Sequence, residues 1–176
     1  MIKFCGLRKR KKEQNLSIRV LTIINPTSGK GNVMEYVEEI KRNLEEQNME
    51  VNIQLTKKEY NAKNIVIDYI EVTDLILVCG GDGTFNETVS ALMELNAKDV
   101  SIAYIPMGTT NDLAKSLDMP IKDISITKRL LESRAKVLDV GKFNGNRYFC
   151  YIAAFGVITD VAYKTSQKAK NKYGRL

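Results

Sequence analysis

Three short stretches of this 176-residue chain combine glycine, hydroxyl, amide and carboxylate groups at spacings that suit phosphate chemistry. They are Asn25-Pro26-Thr27-Ser28-Gly29-Lys30-Gly31, Gly80-Gly81-Asp82-Gly83-Thr84, and Gly108-Thr109-Thr110-Asn111-Asp112. A glycine-rich turn between a strand and a helix favours phosphate, because bare backbone N–H groups and the positive helix end point at the ligand. A carboxylate such as Asp82 repels the same phosphate. The conflict is relieved if a divalent cation lies between them, or if the carboxylate faces the group that receives the phosphate. The first loop is not a Walker A loop: Ile24 stands where its first glycine belongs, and Gly31 replaces the Ser or Thr. The second begins a Gly-x-Gly-x-x-Gly pattern but has Asn86 at the third glycine, which argues against a Rossmann dinucleotide site. Taken singly, each loop is also readable as an ordinary turn, with Asp82 capping the helix that follows. Together they point to a phosphate and metal site.

The remaining composition narrows the chemistry. The chain has no histidine, which removes Ser-His-Asp and Cys-His catalysis and histidine-ligated zinc. Its cysteines, Cys5, Cys79 and Cys150, show no Cys-x-x-Cys spacing and suggest neither a disulfide framework nor a zinc knuckle. The net charge of +6 is concentrated at the ends: six Lys or Arg in residues 1–12 and five in 164–176, with no acid in either stretch. The body between them is therefore net acidic. Residues 1–16 read as a solvated basic tail; the sharper reading is attraction to an anionic membrane surface, about 1 kcal/mol per basic residue held close to it. Neither aromatic interleaving nor a recognition motif points to nucleic acid. The longest apolar run, Tyr148 to Ile158, is shorter than the roughly 20 residues a bilayer requires, and no apolar segment follows the basic start. The resulting expectation is a cytoplasmic protein.

These loops need a frame that brings them together. Ile18–Asn25, Val51–Thr56, Leu75–Cys79 and Val100–Pro106 read as strands, and the segments beginning at Val33, Ala62 and Phe85 as helices. The alternation predicts an α/β fold over 17–133, an open and mostly parallel sheet with flanking helices, whose strand carboxyl ends gather the loops on one edge. After Ser133 the pattern changes. Asn144-Gly145 between two apolar-alternating runs predicts a tight hairpin over 136–153, the start of an incomplete β-rich second domain in 134–176.

The ordered set NPTSGKG, GGDGTFNE and PMGTTNDLA, followed by LDVGKFNGNRYF, resembles the diacylglycerol kinase catalytic-domain family, which includes bacterial diacylglycerol kinases and sphingosine kinases. GGDGT alone is shared with NAD kinases, so the fold implied is NAD kinase/diacylglycerol kinase-like. The resemblance implies ATP and Mg²⁺ as cofactors and a membrane lipid, diacylglycerol or similar, as phosphoryl acceptor. It implies ATP contacts at Asn25, Pro26, Thr27, Ser28, Gly29, Thr56, Gly81, Asp82, Gly83, Thr84, Phe85, Asn86, Glu87 and Thr109. Asp82, Asp112 and Asp139 match the family's aspartate network around a water-bridged Mg²⁺, and Asp82 is the catalytic candidate. Family members continue well past this length into a β-sandwich that carries a late catalytic carboxylate. Three readings follow: a lipid kinase or its ATP-binding half, an NAD kinase-like enzyme, or a nucleotide-binding module without turnover. Peripheral membrane contact and an oligomer are compatible with the first.

Overall fold

A computed structural model of the chain describes residues 2–4, 17–28, 33–97, 99–132, 136–145 and 147–151. Six strands form the main sheet: β1 (Ile2–Phe4), β2 (Ile18–Ile24), β3 (Met49–Leu55), β4 (Leu75–Gly80), β5 (Ser101–Pro106) and β6 (Lys136–Leu138), in the order β3-β2-β4-β5-β1-β6. All pairings are parallel except β1 with β6. The helices are α1 (Val37–Glu45), entered through a 3-10 turn from Val33, then α2 (Ala62–Tyr69), α3 (Asp82–Glu94) and the short α4 (Asp112–Ser116). The expected open, mostly parallel sheet with flanking helices is thus the observed one.

The central strands β4 and β5 are buried along their whole length, as apolar runs without alternation require. Alternate residues feed two cores. Ile76, Val78, Ile102 and Tyr104 meet α2 and α3 through Ile65, Val66, Phe85 and Val89. Leu75, Leu77, Ala103 and Ile105 meet α1 through Ile40 and Leu44 on the other face. In register, Ile24 pairs with Leu55 and Cys79, and Gly80 pairs with Pro106. The strands therefore end level with one another, and the chain leaves them along one edge. The backbone bonds Asn25 N–H to Cys79 C=O, Thr56 N–H to Ile24 C=O and Met107 N–H to Gly80 C=O extend the ladder into the loops themselves.

Three expectations are corrected. Residues 2–4, read as part of a basic tail, form β1 and lie between β5 and β6; the rest of that stretch, 5–16, lies outside the described residues. The run 136–143, read as one arm of a hairpin, is divided between two sheets. Lys136–Leu138 pairs antiparallel with β1, the exposed Asp139 begins the link, and β7 (Gly141–Phe143) pairs with β8 (Arg147–Phe149). Here Asn144 and Gly145 both take positive φ, 46° and 82°, as Asn-Gly turns permit. The Phe149 ring lies over Gly141 of the partner strand, where a Cβ would collide with it. Finally, α3 begins at Asp82 rather than Phe85, so only Gly81 separates strand from helix.

A buried polar strap joins α1 to the 3-10 segment Ile124–Glu132. Asn43 Nδ2 donates to Thr127 Oγ1 (2.9 Å), which donates to the Ile124 carbonyl (2.7 Å), while Gln47 Nε2 donates to the Asn43 and Thr127 carbonyls. Replacing Asn43 by Ala removes the only side-chain donor to Thr127 Oγ1 among the described residues. The expected loss is about 1–2 kcal/mol, read as a lower midpoint in urea unfolding with an unchanged slope.

Candidate functional site

Asp82 is the first helical residue of α3, and its half-buried side chain reaches across to the start of α4. Asp112 N–H donates to Oδ2 at 3.0 Å and Leu113 N–H to Oδ1 at 3.3 Å. One carboxylate therefore lies at the positive ends of two helices, the favourable location for an anion. The capping role considered for Asp82 is real, but it serves the neighbouring helix rather than its own. It is needed there because the residue before α4, Asn111, is left-handed (φ 51°, ψ 49°) and makes no side-chain bond to the helix. Instead the buried Asn111 amide accepts from Gly108 N–H and donates to Gly108 C=O, both at 2.8 Å, which closes the third loop on itself.

The glycines divide by what surrounds them. A Cβ on Gly108 would fall 2.6 Å from Gly81 Cα and 2.7 Å from Asn111 Oδ1, so the second and third loops touch backbone to backbone. A Cβ on Gly80 would meet the Thr84 side chain at 2.8 Å. Gly83 is different: it is exposed, and a Cβ there would meet nothing within 4 Å. The first helical bond of α3 runs from Phe85 N–H to Gly81 C=O at 3.1 Å. The N–H groups of Asp82, Gly83 and Thr84 consequently have no acceptor within the helix, as at any helix start.

The first loop is tied to the second. Asn25 Nδ2 donates to Thr84 Oγ1 (3.1 Å), while Asn25 Oδ1 accepts from Thr27 N–H and Oγ1–H at 3.0 and 2.9 Å. Ser28 is buried and folds back to the Asn25 carbonyl, with Pro26 half-buried and Thr27 exposed beside it. Thr56 adjoins this loop through Ile24, and Thr109 is exposed on the third. Glu87, on α3, accepts from Ala62 N–H at 3.2 Å; burial raises its pKa and that bond partly opposes the rise. Asn61 and Asn64 complete the start of α2 with a reciprocal capping box. Asn86 Nδ2 donates to the Tyr148 carbonyl at 3.2 Å and holds the β7–β8 hairpin against α3.

Of the residues expected to contact a ligand, Asn25, Thr56, Gly81, Asp82, Gly83, Thr84 and Thr109 fall on or beside the same sheet edge. The Phe85 side chain does not face that edge: it is buried in the core, its ring centroid 4.8 Å from that of Tyr104. Gly29 lies outside the described residues. Asp112 joins Asp82 through its backbone, whereas Asp139 is exposed on the link between the two sheets. Among the described residues no three acidic or thiol side chains converge as a ligand set. Sequence reasoning missed the loop-closing role of Asn111. Its signal was an Asn directly before a helix start, since Asn tolerates the left-handed region.

A sequence model of the diacylglycerol kinase catalytic domain matches residues 19–143. The chain is 35% identical over 161 residues to a diacylglycerol kinase of Staphylococcus carnosus, covering 89% of this chain and 51% of that protein. It is 32% identical over 160 residues to a diacylglycerol kinase of Bacillus subtilis, with 90% and 52% covered. A crystal structure of a diacylglycerol kinase from Bacillus anthracis superposes with a TM-score of 0.65 at 31% identity, over 74% of this chain and 45% of that one. The chain spans about half the length of the curated relatives it matches.

The loop contact yields a direct test. Gly108→Ala forces a methyl into the Gly81 backbone and the Asn111 amide, and is expected to destabilise the fold by about 1–3 kcal/mol in urea unfolding.

Proposed function

The chain belongs to the diacylglycerol kinase catalytic domain family, and from that premise we propose that it is the nucleotide-binding part of an ATP- and Mg²⁺-dependent lipid kinase. The observation that carries the reading is the pairing of Asp82, fixed between two helix ends, with the open backbone at Gly83 one residue away. Three N–H groups at the start of α3 offer donors to a polyphosphate on that edge, with the Thr56 and Thr109 hydroxyls on the loops beside it. Each Asp82 oxygen accepts one backbone N–H and keeps lone-pair capacity for a further partner.

The donor set fits a hard cation held largely through water. Mg²⁺ retains several waters and is commonly bound by one or two carboxylates plus substrate phosphates, so a three-carboxylate cage is not required. In this reading Asp82 would hold it, with Asp112 and Asp139 as water-bridged candidates. When bound, the cation would neutralise charge on the transferring phosphoryl group. The chain's own contribution is positional: α3 orients the phosphates, the Asn25–Thr84 bond fixes the first loop against the second, and Asp82 keeps α4 and Thr109 in place.

The acceptor in this reading is a lipid hydroxyl, diacylglycerol by family. No helix among the described residues is long and apolar enough to cross a membrane. The reading has the lipid met at a membrane surface in a cytoplasmic setting. Because the chain spans half of its relatives, nucleotide binding without transfer is the alternative.

Gly83→Ala separates ligand contact from folding. Alanine in a helix is favoured over glycine by about 0.5–1 kcal/mol and meets no atom here, so melting should be unchanged or raised. Affinity for Mg-ATP by calorimetry is expected to fall about tenfold, or about 1.4 kcal/mol; an unchanged affinity overturns the proposed phosphate contact. Transfer of labelled phosphate to diacylglycerol in mixed micelles tests the kinase reading, and binding without transfer favours the alternative.

A further inference from the structure

Two buried side-chain oxygens among the described residues have no hydrogen-bond partner, Thr22 Oγ1 and Tyr104 Oη. They lie on opposite faces of the sheet. Thr22 alternates with Leu21 and Ile23, which share the core of Tyr104, so Thr22 faces away from it. Tyr104 lies on the face of the site. Its ring packs on Phe85, three residues along α3 from Asp82, and it shares a core cluster with Leu113, whose N–H donates to Asp82. Its strand continues two residues to Pro106, the register partner of Gly80. Tyr104 thus adds an unpaired hydroxyl to the core that Phe85 of α3 and Leu113 of α4 share, where Phe would add none.

An unpaired hydroxyl in a closed interior is costly, whereas a ring of the same shape without it is not. Folding therefore gives no reason for the oxygen. Asp82, three residues along α3 from the Phe85 on which the ring packs, has lone-pair capacity left after its two backbone bonds, and a polar interior group can reach such a partner through a bound water. Burial, and secondarily the Asp82 charge, raise the pKa of the phenol, so it stays a donor at neutral pH.

We propose that Tyr104 is a positioning residue for Asp82, its hydroxyl donating through one bridging water to the carboxylate and setting how firmly the site holds a Mg²⁺–nucleoside triphosphate. This rests on the nucleotide-binding reading above. Tyr104 does not touch the nucleotide; it limits the orientations open to the carboxylate that serves the cation.

The test is Tyr104→Phe in the full chain, with thermal melting and Mg-ATP calorimetry run beside the parent protein, each with Mg²⁺ and with EDTA. The expected result is a melting temperature equal to or above that of the parent, a three- to tenfold loss (about one hydrogen bond) of Mg-ATP affinity, and no change in EDTA. Equal Mg-ATP affinity overturns the proposal, as does a loss of the same size in EDTA or one accompanied by a lower melting temperature. A parent chain that binds no Mg-ATP overturns the nucleotide reading itself and this inference with it, an outcome distinct from binding that is indifferent to the hydroxyl.

Discussion

The carboxylate of Asp82 between two helix starts is the interaction on which the arrangement of the site depends. A helix of five residues gains little from its own hydrogen bonds, since nucleation fixes several residues before the first bond is returned. The helix α4 is accordingly held from outside, by Asp82 from one side and by the burial of Leu113 and Ala114 beneath it. Because Asp82 opens α3, whose first turn also presents Gly83 and Thr84, any shift of α4 is transmitted to the N–H groups at the start of α3. The third loop and the second form one unit.

That unit is possible only because the sheet sets its loops at a common height and separation. Neighbouring strands lie about 4.8 Å apart, and the level ends of β4 and β5 bring Gly81 and Gly108 into backbone contact. Any side chain at Gly108 would separate the loops and pull Asp82 from its two donors. Full burial of β4 and β5 in turn fixes their register, since slippage by one residue would exchange the two core faces and set residues shaped for α2 and α3 against α1. Precision at the edge is thus derived from packing in the middle.

The parts of this structure that were legible in the sequence are those governed by local periodicity. Unbroken apolar runs such as Leu75–Cys79 marked buried strands, Asn144-Gly145 marked a turn, and glycine with hydroxyl residues marked the loops of the site. What was hidden depends on contacts distant in sequence. Nothing near Asp82 shows that its carboxylate will cap residues 112 and 113, and nothing near Gly81 shows that its neighbour is Gly108. Residues 2–4 were obscured by the basic stretch that follows them, and Lys136–Leu138 by its continuity with the apolar alternation of the next strand. Phe85 came to the ligand set with the resemblance, whereas its side chain forms one inward stripe with Val89 and Leu92 on α3.

The site's residues then sort by whether folding alone accounts for them. Gly81 and Gly108 are required by the approach of two backbones, Asn111 by a left-handed residue that must close its own loop, and the Asn25–Thr84 bond by two loops leaving adjacent strands. Each would be retained in a protein that bound nothing. Gly83 and the hydroxyl of Tyr104 are the exceptions, since alanine suits a first helical turn better and phenylalanine suits a dry core better. Residues that violate local preference without repaying it in packing are expected where a sequence answers to something other than its own stability. Gly83 follows Asp82 on the exposed side of the helix start, and Tyr104 packs on Phe85 in the core below it. The Asp112 and Leu113 N–H groups hold the Asp82 carboxylate before any ligand arrives, which is the condition for holding charge without reorganisation.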